Sequence, residues 1–352
     1  MTSAENRPTT RADVARLAGV STAVVSYVVN NGPRPVAGAT RLKVLAAIRE
    51  LDYHPNPSAR ALKTGSTGLI GVVVPEILNS YFSEFVDAID VAARNQGKSI
   101  LLSITHEDAG TEAEVIPNLV SRGVDSLIFN CRLVNTELYQ AGDVRTPRVL
   151  LDRANLIEGI PALGADLGQG ARLATEHLAG HGHTRIGYVG GPLPADRQDY
   201  RRLAWEDVLA GRELPVPEPA ITAWSPTGGF DGVAELMEAA EPPTAIFAAS
   251  DQIAIGAMHA LHQRGLRVPE DVAVVSLDGT AETAYSWPPL TTVRQPFEAM
   301  AEAALTELAS GSRATASSRA GGEGQRTLFP MALQIRESCG CPPQEGRGQA
   351  GS

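Results

Sequence analysis

The sequence predicts a small all-α head followed by an α/β body of two parallel-sheet subdomains. The chain has 352 residues, which is too long for one small domain. Its first 55 residues show three short stretches with helical spacing of apolar side chains. From Gly68 onward, short apolar strands alternate with helical stretches, the pattern of parallel sheets covered by helices.

Composition excludes several classes of protein. With 43% apolar and 20% charged residues, the chain can bury sizeable cores. No apolar run reaches the roughly 18 residues that a membrane helix requires. The amino terminus lacks the apolar stretch of a signal peptide, so we expect a cytoplasmic protein with no membrane partner.

Cysteine and histidine spacing predicts no metal site. Cys131, Cys339 and Cys341 give no disulfide framework and too few soft ligands for zinc. The pair His181 and His183 lacks a further ligand at suitable spacing nearby. The glycine-rich fingerprints of nucleotide-phosphate sites are also missing from the sequence, so no cofactor is expected.

Charge divides the chain unevenly. The first 65 residues hold nine basic and four acidic side chains, a net charge of +5. The whole chain carries −10, so the remainder carries −15. A basic head on an acidic body indicates that the head meets a polyanion.

The head has the pattern of a helix-turn-helix unit. Thr10 and Asp13 have capping-box spacing, Gly19 breaks the first helix, and Ser21 is a good N-cap for a second helix at 22–29. A third helix is predicted at 40–51. The predicted core is Val14, Leu17, Ala18, Val25, Val28, Val29, Leu42, Leu45, Ile48 and Leu51. The opposite face of the second helix carries Thr22, Ala23, Ser26 and Tyr27, and such a helix enters the major groove of DNA. A small three-helix bundle without DNA binding is the alternative.

The body alternates between strands and helices. Strands are predicted at 69–74, 99–104, 126–130, 148–151, 185–189, 244–249 and 272–277. Helices are predicted at 81–95, 112–121, 169–179, 201–209, 231–239, 252–264 and 297–308. Ligands of such sheets bind at the carboxyl ends of strands, where polar residues collect here. These residues are Asn79, Tyr81, Asn130, Arg132, Asp152, Arg153, Asp166, Ser250, Asp251 and Asp278. Each one alone is also suited to capping a helix.

The head resembles the LacI/GalR family of repressors. The motifs are DVARLAGVS at 13–21, SYVVN at 26–30, TRLKVLAAIRELDYHPN at 40–56 and ARAL at 59–62. The resemblance implies that Thr22, Ala23, Ser26 and Tyr27 read base edges and that Arg11 and Ser21 contact phosphates. It extends DNA contact to Asn30, Asn56, Ala59 and Leu62, the last as a wedge in the minor groove from a hinge helix. Without the resemblance, residues 56–65 read as a plain linker. The family usually has Arg at the place of Tyr27 and often Thr at that of Val24, so the base sequence read here should differ.

The body resembles the sensor of the same family, which shares its fold with type I periplasmic binding proteins. The matching stretches are 75–82, 150–153, 176–186, 250–256, 268–275, 289–293 and 329–337. The resemblance implies an effector site built from Tyr81, Asp152, Arg201, Trp224, Ser250 and Asp278. Ser250 replaces the usual Asn, and Ala204 stands where Gly is common.

The resemblance also implies domain boundaries. A helix-turn-helix domain is expected at 1–55, a hinge at 56–67, a sensor at 68–340 and a tail at 341–352. Crossings near Ala165, Val293 and Thr327 would assign 68–165 and 294–326 to one subdomain, and 166–293 and 327–340 to the other.

These features predict a dimeric regulator, more specifically a repressor, that binds palindromic operator DNA under control of a small molecule. The mixture of carboxylates, Arg201 and Trp224 fits a sugar or sugar derivative first and a nucleoside or purine second. The tail 342–352 contains no Leu, Ile or Val, which excludes a coiled coil and favours a dimer. Two alternatives remain. One is an enzyme using Asp152 and Asp278 as an acid/base pair, and the other is an architectural DNA-binding protein that needs no ligand.

Overall fold

A computed structural model describes most of the chain, which divides into two compact units, Met1–Thr67 and Gly68–Ser352. The described residues are 9–30, 34–54, 61, 65–130, 146–151, 157, 160–193, 198–311 and 326–342. The predicted fold class is confirmed, with a helical first unit and two largely parallel sheets in the second.

The first unit contains three helices: α1 (Arg11–Ala18), α2 (Thr22–Asn30) and α3 (Gly38–Glu50). The predicted capping box is present, because Thr10 and Asp13 each accept a hydrogen bond from the other's backbone N–H. Gly19 ends α1 with φ of 67°, a conformation that glycine adopts without steric cost. The axes of α1 and α2 differ by 104°, which lies in the range of helix-turn-helix motifs.

The core of the first unit differs from the prediction at two leucines. Its buried apolar side chains are Val14, Ala15, Val25, Val28, Val44, Ala47 and Tyr53. Leu17 is 46% exposed and Leu42 is 66% exposed, so both were wrongly assigned to the core. On α3 the inward face is centred on Val44 and Ala47, and Leu42 lies two residues before Val44, about 200° around the helix.

The first sheet of the second unit is entirely parallel in its described pairings. Its strands are β1 (Leu69–Val74), β2 (Ser99–Ile104), β3 (Ser126–Phe129), β4 (Arg148–Leu151), β5 (Ala162–Ala165) and β11 (Arg326–Phe329). They lie in the order β11-β5-β4-β3-β1-β2. Helices α4 (Ser80–Asn95) and α5 (Ala109–Ser121) belong to this part of the chain.

The second sheet is parallel except at one edge. Its strands are β6 (Ile186–Gly190), β7 (Ala220–Ile221), β8 (Ala245–Ala248), β9 (Ala273–Asp278), β10 (Thr291–Arg294) and β12 (Ala332–Gln334). They lie in the order β12-β10-β9-β8-β6-β7, with β12 antiparallel to β10. The helices here are α6 (Leu167–Gly180), α7 (Tyr200–Gly211), α8 (Pro226–Met237) and α9 (Asp251–Gln263).

The chain passes between the two sheets three times. It leaves the first sheet after Ala165 and leaves the second after Arg294, where α10 (Phe297–Gly311) returns to pack on α4, β4 and β5. The third crossing follows Phe329, because all of β11 pairs with β5. The expected boundary at Thr327 was therefore placed two residues too early.

Helix α8 begins earlier than the predicted 231–239. Ser225 caps it by accepting a hydrogen bond from the N–H of Gly228 at 3.1 Å, and Pro226 occupies the first turn. Glycines in its first turns weaken the helical pattern, yet the packing requires two of them, because a Cβ at Gly228 would collide with the backbone carbonyl of Ala223. A Cβ at Gly229 would collide with the backbone carbonyl of Ile253 in α9.

Among the described helices, none is by itself long and apolar enough to cross a membrane, and α1 with α2 meets that criterion only as a pair bent by 104°.

Candidate functional site

Helix α2 of the first unit has one buried face and one accessible face. Val25 and Val28 are buried against α1 and α3. Thr22 and Ala23 are exposed, and Ser26 and Tyr27 are partly exposed. The four predicted base-reading side chains thus lie away from the core, as a helix that docks in a groove requires.

Only some of the other residues predicted to contact DNA are among the described residues. Ser21 is exposed and caps α2, its Oγ accepting from the N–H of Val24 at 3.3 Å. Arg11 is half-buried in the first turn of α1, and Asn30 is the last residue of α2. Asn56, Ala59 and Leu62 lie outside the described residues.

In the second unit, four predicted effector ligands follow neighbouring strands of the second sheet. Trp224 comes after β7, Arg201 and Ser250 come after β6 and β8, and Asp278 ends β9. These strands are consecutive and parallel in the sheet, so their carboxyl ends share one edge. The fold therefore brings these four positions to the edge where α/β sheets bind ligands.

Arg201 is positioned by a capped helix start. Asp199 caps α7 by accepting from the N–H of Arg201 at 3.2 Å, and its other carboxylate oxygen accepts from the Tyr188 hydroxyl at 2.7 Å. Burial, with the charge of Asp199 beside it, raises the pKa of Tyr188 well above its usual value, so this hydroxyl stays a donor. The first turn of α7, which carries Arg201, is thereby tied to β6.

Trp224 is half-buried beside Arg201. The guanidinium carbon of Arg201 lies 5.0 Å from the centroid of the indole, a cation–π distance. The indole N–H donates to the carbonyl of Pro192 at 2.9 Å. A Cβ at Gly191 would overlap the indole, so only glycine permits this close approach. Trp224 is consequently fixed as one wall of the candidate site.

Asp278 is a buried carboxylate with unusual backbone geometry. Its φ is 128°, a region that non-glycine residues rarely adopt and that is found at functional sites. Gln295 donates from Nε2 to Oδ1 of Asp278 at 2.8 Å, and the backbone N–H of Gln295 donates to the Asp278 carbonyl at 2.9 Å. The Oε1 atom of Gln295 is buried and has no hydrogen-bond partner within the described part of the chain. Gln295 is a site candidate that the sequence argument missed.

Ser250 and Asp251 play structural parts at the start of α9. Ser250 caps this helix, accepting from the N–H of Ile253 at 3.3 Å. Asp251 is buried and accepts from the hydroxyls of Ser276, Thr280 and Thr292 and from the N–H of Thr280. Burial raises the pKa of Asp251, while these four donors oppose that effect by stabilising the carboxylate. Asp251 therefore holds β9, β10 and α9 together beside Asp278.

The first sheet contributes a second group of residues. Tyr81 follows β1 and Asn130 follows β3, and both are buried. The amide of Asn130 donates to the Tyr81 hydroxyl at 3.3 Å. Asp152 follows β4, outside the described residues.

A hydrogen bond joins the two halves of the second unit next to Asp278. The N–H of Ala281, three residues after Asp278, donates to Oε1 of Glu84 in α4 at 2.7 Å. The segment that carries Asp278 thus touches the first sheet's helix layer.

Two protein-family models match the chain. Residues 10–56 match the model for bacterial regulatory proteins of the lacI family. Residues 175–339 match the model for a periplasmic binding protein-like domain.

Characterised relatives cover most of the chain. The ribose operon repressor of Escherichia coli (strain K12) is 34% identical over 313 residues, spanning 85% of this chain and 92% of that protein. The transcriptional repressor PurR of Vibrio vulnificus (strain CMCP6) is 34% identical over 295 residues, spanning 81% of this chain and 86% of that protein. The transcriptional regulator GalR of Salmonella typhimurium (strain LT2) is 33% identical over 294 residues, spanning 82% of this chain and 85% of that protein.

Solved structures agree with these matches. The lac repressor dimer bound to operator and the anti-inducer ONPF has 31% identity and a TM-score of 0.79, over 95% of this chain and 99% of that one. The complex of the transcriptional regulator CelR with cellobiose has 28% identity and a TM-score of 0.68, over 94% of this chain and 99% of that one.

Proposed function

The chain belongs to the LacI family of bacterial regulatory proteins, and from this premise we propose that it is a dimeric repressor whose grip on operator DNA is set by a sugar or sugar derivative. The observation that carries the proposal is the combination of an accessible α2 face with the polar strand ends around Asp278. The first element reads DNA, and the second senses the small molecule.

Operator reading is assigned to Thr22, Ala23, Ser26 and Tyr27. Their side chains offer hydroxyls, a methyl group and an aromatic ring, which suit hydrogen bonds to base edges and contact with the thymine methyl. Arg11 and Ser21 hold phosphates and fix the register of the helix on the duplex. Asn30, Asn56, Ala59 and Leu62 complete the DNA surface, with Leu62 as the minor-groove wedge.

A sugar suits the chemistry of the effector site. The carboxylate of Asp278 accepts hydrogen bonds from hydroxyl groups, and the unpaired Oε1 of Gln295 offers a further buried acceptor beside it. Arg201 donates to ring or hydroxyl oxygens, and the indole of Trp224 packs on the apolar face of a sugar ring. Tyr81, Asp152 and Ser250 are assigned to the same site. The similar ribose operon repressor and the CelR–cellobiose complex support this ligand class.

Dimerisation follows from the palindromic operator, which requires two heads related by a two-fold axis. The solved lac repressor is a dimer on its operator. On the second unit, Tyr285 and Trp287 are 86% and 92% exposed, an apolar surface that a second copy of the chain would cover.

Catalysis is not assigned to the cleft. An acid/base enzyme would need Asp278 free to exchange protons with a substrate, whereas Gln295 fixes this carboxylate through Nε2. A nucleoside or purine is the second choice of effector, because Trp224 and Arg201 would also accept a base. A protein that binds DNA without any effector is the other alternative.

A thermal-shift screen of sugars, nucleosides and purines tests the proposal. A ligand at about 100 times its Kd stabilises the folded protein by about 2.7 kcal/mol, which raises Tm by several degrees. The hit is then added to an operator titration. A sugar that changes operator affinity supports the proposal. A screen in which no compound alters both Tm and operator affinity favours the ligand-independent alternative.

A further inference from the structure

Four side chains with metal-binding atoms converge at the carboxyl end of α6, away from Asp278. They are His177, His181, Cys339 and Cys341. The Nε2 of His181 lies 3.2 Å from Sγ of Cys341, and the Nε2 of His177 lies 3.7 Å from the same sulfur. All four ligand atoms lie within 4.8 Å of one another.

The fold holds both halves of this cluster in place. His177 and His181 are four residues apart at the end of α6, so their imidazoles share one face, with ring centroids 4.8 Å apart. The two cysteines follow Ser338, which is buried in the second sheet. Its hydroxyl accepts from the N–H of Thr291 at 2.8 Å and donates to the carbonyl of Val274 at 2.6 Å. The Cys-x-Cys segment is therefore anchored before it reaches the histidines.

We propose that these four residues form a tetrahedral site for Zn²⁺. Two cysteines and two histidines are a common ligand set of structural zinc sites. Bond lengths of about 2.3 Å to sulfur and about 2.1 Å to nitrogen place tetrahedral ligand atoms about 3.4–3.8 Å apart. The distances of 3.2 and 3.7 Å lie close to these values, and the widest separation needs a contraction of about 1 Å. Two thiolates balance the charge of the ion.

The donor set of the cluster separates it from the other histidine singled out in the sequence. The donor atoms of the cluster are two imidazole nitrogens and two sulfurs. His183, the other histidine singled out from the sequence, instead contacts the hydroxyl of Thr244 through Nδ1 at 3.0 Å. The soft sulfur and imidazole ligands select zinc over magnesium or calcium.

Such a site would tie the end of the described chain to α6. The first turn of α6 is already joined to the third crossing, because Gln169 accepts from the N–H of Met331 at 2.8 Å and donates to its carbonyl at 3.4 Å. Zinc at the other end of α6 would add a second connection, between this helix and the segment that follows β12. The role is structural and independent of both effector and DNA binding.

Zinc binding by the tag-free, full-length chain in reducing buffer tests this inference. The protein carries Cys131→Ser so that only the clustered thiols remain, and zinc is measured by mass spectrometry after dialysis. Affinity is measured by competition with a chromophoric chelator. We expect one zinc per chain, a Tm raised by several degrees, and tetrahedral Co²⁺ absorption with sulfur-to-metal charge-transfer bands.

Single variants locate the site. Cys341→Ser and His181→Ala change partly or fully exposed residues, so both should fold, and each should weaken zinc binding at least about 100-fold. His262→Ala, an exposed histidine on α9, is the matched control and should bind like the parent. A parent that binds no zinc, variants that bind as tightly as the parent, or a Cys339–Cys341 disulfide that persists in the reducing buffer would each overturn the proposal.

Discussion

Gln295 holds the carboxylate of Asp278 from the segment that joins the two sheets. Its Nε2 donates to Oδ1 of Asp278 at 2.8 Å, and the carbonyl of Gln295 accepts from the N–H of Phe297, the first residue of α10. Gln295 thus contacts Asp278, a residue proposed to bind the effector, and lies in the segment by which the chain crosses between the subdomains. Under the proposed function, these two contacts are a route by which an effector at Asp278 would act on the arrangement of the subdomains.

The Gln295→Leu substitution tests this link. It keeps an apolar stem but removes both the donor to Asp278 and the buried acceptor Oε1, so effector affinity should fall at least about tenfold, or about 1.4 kcal/mol. Operator affinity without effector should stay within about twofold of the parent. Calorimetric titration with the screened effector measures the first quantity. Gln263→Leu, at an exposed glutamine on α9, is the control, and equal losses in both variants would refute the link.

Tyr27 should determine base preference. Replacing it with Ala removes a hydroxyl and a ring from the accessible face of α2, so preference at particular base pairs should change by about 1–3 kcal/mol. Selection from a randomised operator library at fixed salt, followed by sequencing, measures the change. Tyr27→Phe separates the hydroxyl from the ring. Unchanged preferences in Tyr27→Ala would mean that Tyr27 does not face the bases.

Leu62 should act as a wedge. Leu62→Ala should weaken operator binding at least about tenfold, and most strongly on operators with an easily kinked central step, because unstacking there costs least. Leu42→Ala is the matched control, since Leu42 is 66% exposed on α3 and outside the proposed DNA surface. Parallel gel-shift titrations compare the two. A Leu62 variant that binds like the Leu42 variant would refute the wedge.

The chain should be a dimer through its second unit. Light scattering at micromolar concentration should give about 74 kDa, twice the chain mass of 37.1 kDa. Trp287→Glu should shift the mass toward one chain, because a charge is costly in a buried apolar interface. Val216→Glu, at another exposed apolar residue, should remain dimeric. A monomeric parent, or a stable tetramer, would contradict the assembly proposed here.

The pattern of apolar residues was sufficient to predict the bounds of several strands. Strands 69–74, 99–104 and 148–151 have the predicted bounds, because apolar residues dominate each of them, although 99–104 lies at the edge of its sheet and is only partly buried. Strands β7 and β12 were missed, since two or three residues carry no readable period. Strand β10 was missed because its sequence TTVR is largely polar, although its first three residues are buried.

Residues brought together only by topology were the hardest to predict. Gln295 follows the polar strand β10, so nothing marked it as a strand-end ligand. His181 and Cys341 are 160 residues apart in the chain, and only the return of the segment after β12 to α6 joins them. By contrast, Ser250 follows and Asp278 ends a strongly apolar strand, so the sequence alone predicted both as strand-end ligands, and both stay predictions.

Operator titrations with and without effector, in the parent and in Asp278→Ala, test the central claim most directly. The effector should change the parent's Kd for operator at least about fivefold and leave that of Asp278→Ala unchanged, while both bind operator equally well without effector. Asp231→Ala, at an exposed aspartate on α8, should respond like the parent. If Asp278→Ala still responds at the parental effector concentration, the effector does not act through this site, and the account is contradicted.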